Sequence, residues 1–311
     1  MMTKTAHHVF HSMGIPIHVT LAGFSQSDAE NASQKVEKIF HEYDLRFSRF
    51  KKESELMSLN QSNSTWHKVS LPLFQVIKKC VALATETGGI FDPSIGSVLA
   101  SYGYGLPENF ILPATPPTYR DISFNDRELQ ILLAPGQILE PACIIKGMAI
   151  DAAGASIAEV LRAPNQGFMI NAGGDILTKG DFEKGAPWNV AIQAPDNPTA
   201  IVTAVVLKNA GMATSGAYET KGEQDGKKWH HLINMETRKP ASEVTSATVI
   251  AETCEQADTE ASLAILLPLD LAVTRLDQKN LPYFLINHDG QIIKNAAFTA
   301  LEIPLKNLST L

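Results

Sequence analysis

The sequence predicts an α+β fold on three observations. Short runs of alternating apolar residues are bounded by turn residues, longer runs carry a helical apolar face with start and stop signals, and the two kinds follow one another without a regular βα alternation. With 311 residues, 44% of them hydrophobic and 19% charged, the chain has apolar mass for a sizeable core. No Pro/Ser-rich linker or charge block marks a boundary within residues 1–311, so a single unit, lobed or not, is expected.

Taken in order, Ile15, Ile17, Val19 and Leu21 alternate after a Met13-Gly14 turn and read as the first strand. Ser27 with Glu30 three residues on is a capping-box pattern; it opens a helix whose apolar face is Ala32, Val36, Ile39, Phe40 and Tyr43. A second helix runs from about Pro72 to a Gly88 terminator, with Leu73, Val76, Ile77, Cys80 and Leu83 inward. A Pro/Gly/Tyr-rich loop over 101–119 follows, and its length marks it as a functional candidate. Residues 128–133 read as a strand and 145–162 as a third helix. Strands are expected at 168–171, 188–194, 200–207, 232–235 and 246–251, and a last helix at 254–267. A hairpin closes the chain, 283–287 and 291–295 around His288-Asp289-Gly290.

Charge narrows the partners. Lys and Arg number 26 against 33 Asp and Glu, a net −7, and no basic run is present, so nucleic acid is not an expected partner. An acidic protein that binds an anion must use helix N-termini, glycine-rich turns, single lysines or a divalent cation. Residues 1–14 carry His7, His8 and His11 but no apolar signal core, and no apolar run is long enough to span a bilayer; a cytoplasmic chain without a membrane segment is expected. Cys80, Cys143 and Cys254 are scattered and suggest neither a zinc cluster nor a disulfide framework.

Four kinds of segment carry chemistry. Thr87-Gly88-Gly89-Ile90-Phe91-Asp92-Pro93, Asn171-Ala172-Gly173-Gly174-Asp175 and Thr214-Ser215-Gly216 read as turns that expose amides and hydroxyls to a phosphate or sugar, or as plain connections. Lys146, in Lys146-Gly147-Met148-Ala149-Ile150-Asp151, stands at an expected helix start, where it meets a phosphate or a flavin carbonyl, or else only solvent. Asp258 and Ser262 are four apart on one helical face and offer a carboxylate and a hydroxyl to a hard cation; the alternative is an acidic first turn favoured by the helix dipole. In Trp229-His230-His231-Leu232 one imidazole is a candidate general base, or a structural histidine.

Together and in this order, the segments resemble the ApbE family of FAD:protein FMN transferases. The resemblance runs from Met13 to about Pro268 through Met13-Gly14, Phe47-Ser48-Arg49-Phe50, Glu53-Ser54-Glu55, Leu59-Asn60, Gly89 to Gly96, Lys146-Gly147 with Asp151, and Gly173-Gly174-Asp175. It continues through Thr214-Ser215-Gly216 with Tyr218, His230-His231-Leu232 and Ala257-Asp258. It implies an α+β, T-fold-related architecture of mixed sheets and packed helices with FAD in a central cleft. Met13 and Phe50 would line the flavin site; Ile90, Phe91 and Asp92 would contact FAD; Glu140 and Lys146 would flank the nucleotide; and Leu232 would lie against FAD. Gly173, Gly174, Thr214 and Ser215 fall to FAD as well, the last two toward phosphate oxygens. Magnesium would be bound by the backbone carbonyl of Cys143 with the side chains of Asp258 and Ser262. Three positions depart from the usual pattern: Glu140-Pro141-Ala142-Cys143 replaces an Asp-Leu-Gly-Gly segment, Ser262 replaces a threonine, and Asn234-Met235 replaces Asp-Pro.

The implied reaction is magnesium-dependent transfer of FMN from FAD to a serine or threonine of an acceptor protein, with AMP released. His231 is the expected base and Asp258 acts through the metal. The alternatives are hydrolysis of FAD to FMN and AMP at the same site, and flavin binding without catalysis.

Overall fold

The computed structural model describes residues 5–62, 64–101, 113–195, 197, 199–217, 221–224 and 227–304. The part of the expected functional loop at 102–112 and Tyr218 lie outside the described residues. The chain forms two compact units, one of residues 1–41, 146–218 and 242–311, the other of residues 42–145 and 219–241.

The first unit is built on an eight-stranded antiparallel sheet. Its strands lie in the order Ala6–Ser12, Ile15–Ala22, Gly167–Ala172, Asp175–Gly180, Gly211–Gly216, Val244–Ala251, Tyr283–Asn287, Ile292–Lys294. Antiparallel pairing throughout is what separates an α+β sheet from a doubly wound one. Two of its hairpins close through two-residue turns with both residues at positive φ: Met13 (53°) with Gly14 (77°), and Gly173 (62°) with Gly174 (101°). That is the turn whose twist matches paired strands, and it admits a non-glycine residue such as Met13 only at some cost.

Register sorts the sheet's two faces. Directly paired residues share a face, so Phe10, Ile17, Ala172, Asp175, Leu177, Gly211, Ala213 and Ser215 lie on one side. Helices cover that side. Phe40 of the Gln26–Phe47 helix meets Phe10 edge-on at 5.6 Å, Gly154 of the Ala142–Ala158 helix lies against Leu177 and Phe168, and the Cys254–Leu266 helix packs on the Gly211–Gly216 and Val244–Ala251 strands. The other side carries Ile176, Met212, Ile250, Phe284 and Ile286, covered by the Trp188–Gln193/Ile201–Leu207 hairpin and Phe298.

The second unit contains the Glu55–Asn60, Leu71–Glu86 and Gly96–Ser101 helices and a three-stranded sheet of His67–Lys68, Gln130–Leu132 and Ser123–Asn125. Pro72 sits in the first turn of its helix behind a Ser70 cap, and Leu73, Val76, Ile77, Cys80 and Leu83 are buried as expected.

Several boundaries differ from the sequence expectation. The sequence pattern does not announce the Ala6–Ser12 strand, because polar His8 and Ser12 share its inward face with Ala6 and Phe10 while Val9 points outward, which breaks the apolar alternation. The first helix is capped by Ser25, whose hydroxyl accepts the Asp28 amide at 3.2 Å, two residues before the expected Ser27. The Asp175–Gly180 and Gly211–Gly216 strands and the Leu269–Gln278 helix were also missed; both strands begin or end beside glycines that read as turns. The third helix starts at Ala142, so Lys146 stands in its second turn rather than at its N-terminus. Among the described residues no helix is long and apolar enough to cross a membrane.

Candidate functional site

Asp175 and Asp258 are buried acids on the first unit's helix-covered face, 1% and 5% exposed. Asp175 opens its strand immediately after the Gly173-Gly174 tip, and Asp258 lies in the second turn of the Cys254–Leu266 helix. Burial, and then the neighbouring Asp175 carboxylate, push Asp258 well above the usual carboxylate range; the Lys146 ammonium and the Gly147 amide pull the other way. Lys146 Nζ is 2.9 Å from Asp175 Oδ2, and the Gly147 N–H donates to Asp258 Oδ2 at 3.3 Å. Two carboxyls within hydrogen-bonding reach of each other, facing one lysine in a dry setting, need a proton or a cation to settle their charge.

Hydroxyls extend the cluster. Ser262, one helical turn beyond Asp258, has its Oγ 3.0 Å from Ser215 Oγ. Thr214 points to the opposite face, where its hydroxyl pairs with Thr248 Oγ1 at 2.8 Å. Thr214-Ser215-Gly216 is therefore strand, not turn, and the alternation of a strand separates the two hydroxyls expected to act together on phosphate. The Gly173-Gly174 tip is exposed beside Ile15, next to the Met13-Gly14 tip, so both positive-φ turns lie at one end of the sheet together with Asp175. Since Met212 pairs with Ile176, residues 213–216 run on toward that same end.

In the second unit, Thr87 caps its helix and its hydroxyl accepts the Phe91 amide at 3.3 Å. Asp92 is buried, with Oδ1 accepting the Ser94 amide at 2.8 Å and Oδ2 the Tyr119 amide at 2.8 Å. Desolvation outweighs those bonds and raises its pKa. Its carboxylate thus knots a loop, while Ile90 is half-buried and Phe91 is packed in the interior. Glu140 forms an ion pair with the buried Arg49, whose guanidinium lies 4.6 Å over the ring of Phe50; that ring is 64% exposed, an apolar platform open to a planar ligand. Cys143 is half-buried in the first turn of the Ala142–Ala158 helix.

The two histidines differ. His230 Nε2 lies 2.8 Å from the Ala241 carbonyl, which can only accept, so Nε2 carries the proton and the lone pair sits on Nδ1. Burial lowers its pKa and keeps the ring neutral. His231 is half-buried, and Leu232 beside it is buried, with its carbonyl accepting the Ala241 amide at 3.0 Å.

Among the described residues, no group of three or more His, Cys, Asp or Glu side chains is set to hold a metal ion. A cation at Asp258 would instead rest on carboxylate, hydroxyl and carbonyl oxygens, the donor set magnesium prefers. The paired charge of Asp175 and Asp258 fits such an ion. Asp175 and Arg49 have no role in the sequence reading; the sequence signal for Asp175 is an acid directly after a Gly-Gly hairpin tip.

The ApbE family profile matches residues 13–285. The FAD:protein FMN transferase of Haemophilus influenzae is 29% identical over 308 residues, covering 92% of this chain and 88% of its own, and that of Escherichia coli K12 is 26% identical over 91% and 84%. Two solved structures share the fold. The ApbE protein of Thermotoga maritima superposes with a TM-score of 0.85 at 22% identity, covering 97% of this chain and 100% of its own. The flavin transferase ApbE of Vibrio cholerae gives 0.78 at 22% identity, covering 96% and 99%. With the family's profile spanning most of its length, this chain belongs to the ApbE family.

Proposed function

We propose that this chain transfers FMN from FAD to a serine or threonine hydroxyl of an acceptor protein, releasing AMP, in a magnesium-dependent reaction. Family membership supports the activity, and the observation that carries the chemistry is the buried Asp175–Asp258 pair with the half-buried Lys146 beside it. Asp258 and Ser262 would hold magnesium, with Asp175 beside them; the resemblance adds the Cys143 carbonyl, in the first turn of the helix that carries Lys146. Bound there, the ion would supply charge neutralisation to a pyrophosphate.

This chain's own residues would do the rest. Lys146, tied to Asp175, offers a point charge to a phosphate oxygen. In the first unit Met13, Gly173, Gly174 and Ser215 are assigned to FAD, because they share the sheet end at which Asp175 stands. In the second unit the Phe50 ring is assigned to the flavin as a stacking surface, and Ile90 and Leu232 to contacts with FAD. Thr214, Phe91, Asp92 and Glu140 are given supporting roles, since each is engaged in packing or in a bond of its own. His231 takes the proton of the attacking hydroxyl as its oxygen bonds to the FMN phosphorus; the bond from that phosphorus to the bridging oxygen breaks, and AMP leaves with the electron pair.

The test is to incubate the protein with FAD and an acceptor peptide, with and without magnesium, and read the masses of peptide and nucleotides. A peptide heavier by one FMN residue, only with magnesium, is expected. Free FMN and AMP with unchanged peptide would replace transfer by hydrolysis, and intact FAD would leave binding without catalysis.

A further inference from the structure

Gly147 and Asp151 are four residues apart on the Ala142–Ala158 helix and so share one face. That face meets the first turn of the Cys254–Leu266 helix. A Cβ on Gly147 would lie 2.4 Å from Glu255 Cα, so only glycine allows the approach. A helix start leaves its first backbone N–H groups without acceptors inside the helix. The Thr253 hydroxyl accepts the Gln256 amide at 3.2 Å, and the two Asp151 carboxylate oxygens accept those of Cys254 at 2.8 Å and Glu255 at 2.9 Å. The cap is thus completed by a carboxylate from a different helix, which also sits at the positive end of the helix dipole.

Residues 254, 258 and 262 form one stripe along the capped helix. The turn that Asp151 pins is therefore the base of the stripe from whose next two turns Asp258 and then Ser262 project, while the Gly147 amide, made close by the same contact, reaches Asp258. We propose that Asp151 is a positioning residue of the transfer site: through the amides of Cys254 and Glu255 it fixes the height and rotation at which Asp258 and Ser262 are presented. This rests on the function proposed above.

Asp151→Asn keeps the shape but has one accepting oxygen where the carboxylate has two, so one of the two amides loses its acceptor. Transfer kcat should fall about 10- to 100-fold, the usual range when a partner that orients a ligand is lost, with KM for FAD little changed. Hydrogen exchange should quicken at residues 254–257 and stay unchanged at 263–266. Glu260→Gln is the control for a purely structural loss: Glu260 anchors the same helix through Arg275 (2.6 and 2.9 Å) and should lower the melting temperature while keeping kcat. Asp151→Glu, which restores a carboxylate, should recover part of kcat. The inference is overturned if Asp151→Asn leaves kcat unchanged, or lowers it no more than Glu260→Gln at an equal loss of melting temperature. If the unaltered protein transfers no FMN, the function reading fails by itself; unchanged exchange at 254–257 in Asp151→Asn would then overturn the positioning role.

Discussion

Asp258 in the first unit and Asp92 in the second are both buried aspartates with raised pKa values, yet they are built oppositely. Asp92 spends both oxygens on backbone amides, those of Ser94 and Tyr119, and desolvation is opposed by bonds made for the purpose of shaping a loop. Asp258 accepts one long backbone bond, from the Gly147 amide, and faces a second carboxylate within hydrogen-bonding reach, so its surroundings aggravate the cost of its charge. Burial alone does not mark a functional acid. What marks one is a charge left unsettled by its own fold, ready for a cation or proton that arrives from outside.

Substitution should separate the two. Asp258→Asn keeps an acceptor for Gly147 and removes one of two facing charges; transfer should drop on the order of 10³-fold while the melting temperature without magnesium holds or rises. Near-normal transfer at saturating magnesium would sink the assignment. His231→Ala should lower turnover by about 10²-fold or more with FAD binding kept, as read by flavin fluorescence. Loss of binding alone would argue against a base.

Asp92→Ala should show the reverse pattern. Two buried amides lose their acceptor, at about 1–3 kcal/mol each, so urea denaturation should report a loss of several kcal/mol. Turnover per folded molecule should change little. A variant of normal stability that failed to bind FAD would return Asp92 to direct contact with the ligand.

The same contrast explains what could be read in the sequence. Helical faces such as Leu73, Val76, Ile77, Cys80 and Leu83 were legible because period and caps are local properties. Asp258 and Ser262 were legible as a pair for the same reason, four residues apart on a helix. Asp175 was quoted within a motif but given no role, because its meaning depends on a hairpin register that sets it on the face covered by a distant helix. Thr214 and Ser215 read as partners because neighbouring hydroxyls look alike in a string; a strand places them on opposite faces. Asp151 stood in a quoted motif, but its partners lie 103 and 104 residues away and are backbone amides, which no side-chain pattern announces.

The smallest effect expected concerns His230, whose folded-state pKa is lowered by burial. The unfolded chain therefore binds a proton more readily than the folded one between the folded value and the ordinary 6.5. More protons bound by the unfolded state means that stability rises with pH across that window and is lost as the solution is acidified from about 6.5 downward. His230→Gln keeps an N–H donor for the Ala241 carbonyl and does not titrate, so it should flatten this part of the stability profile with little change at pH 8. Denaturant midpoints followed between pH 5 and 8 measure it. An unchanged slope would mean that the ring is protonated equally in both states, and the neutral, carbonyl-anchored histidine would have to be given up.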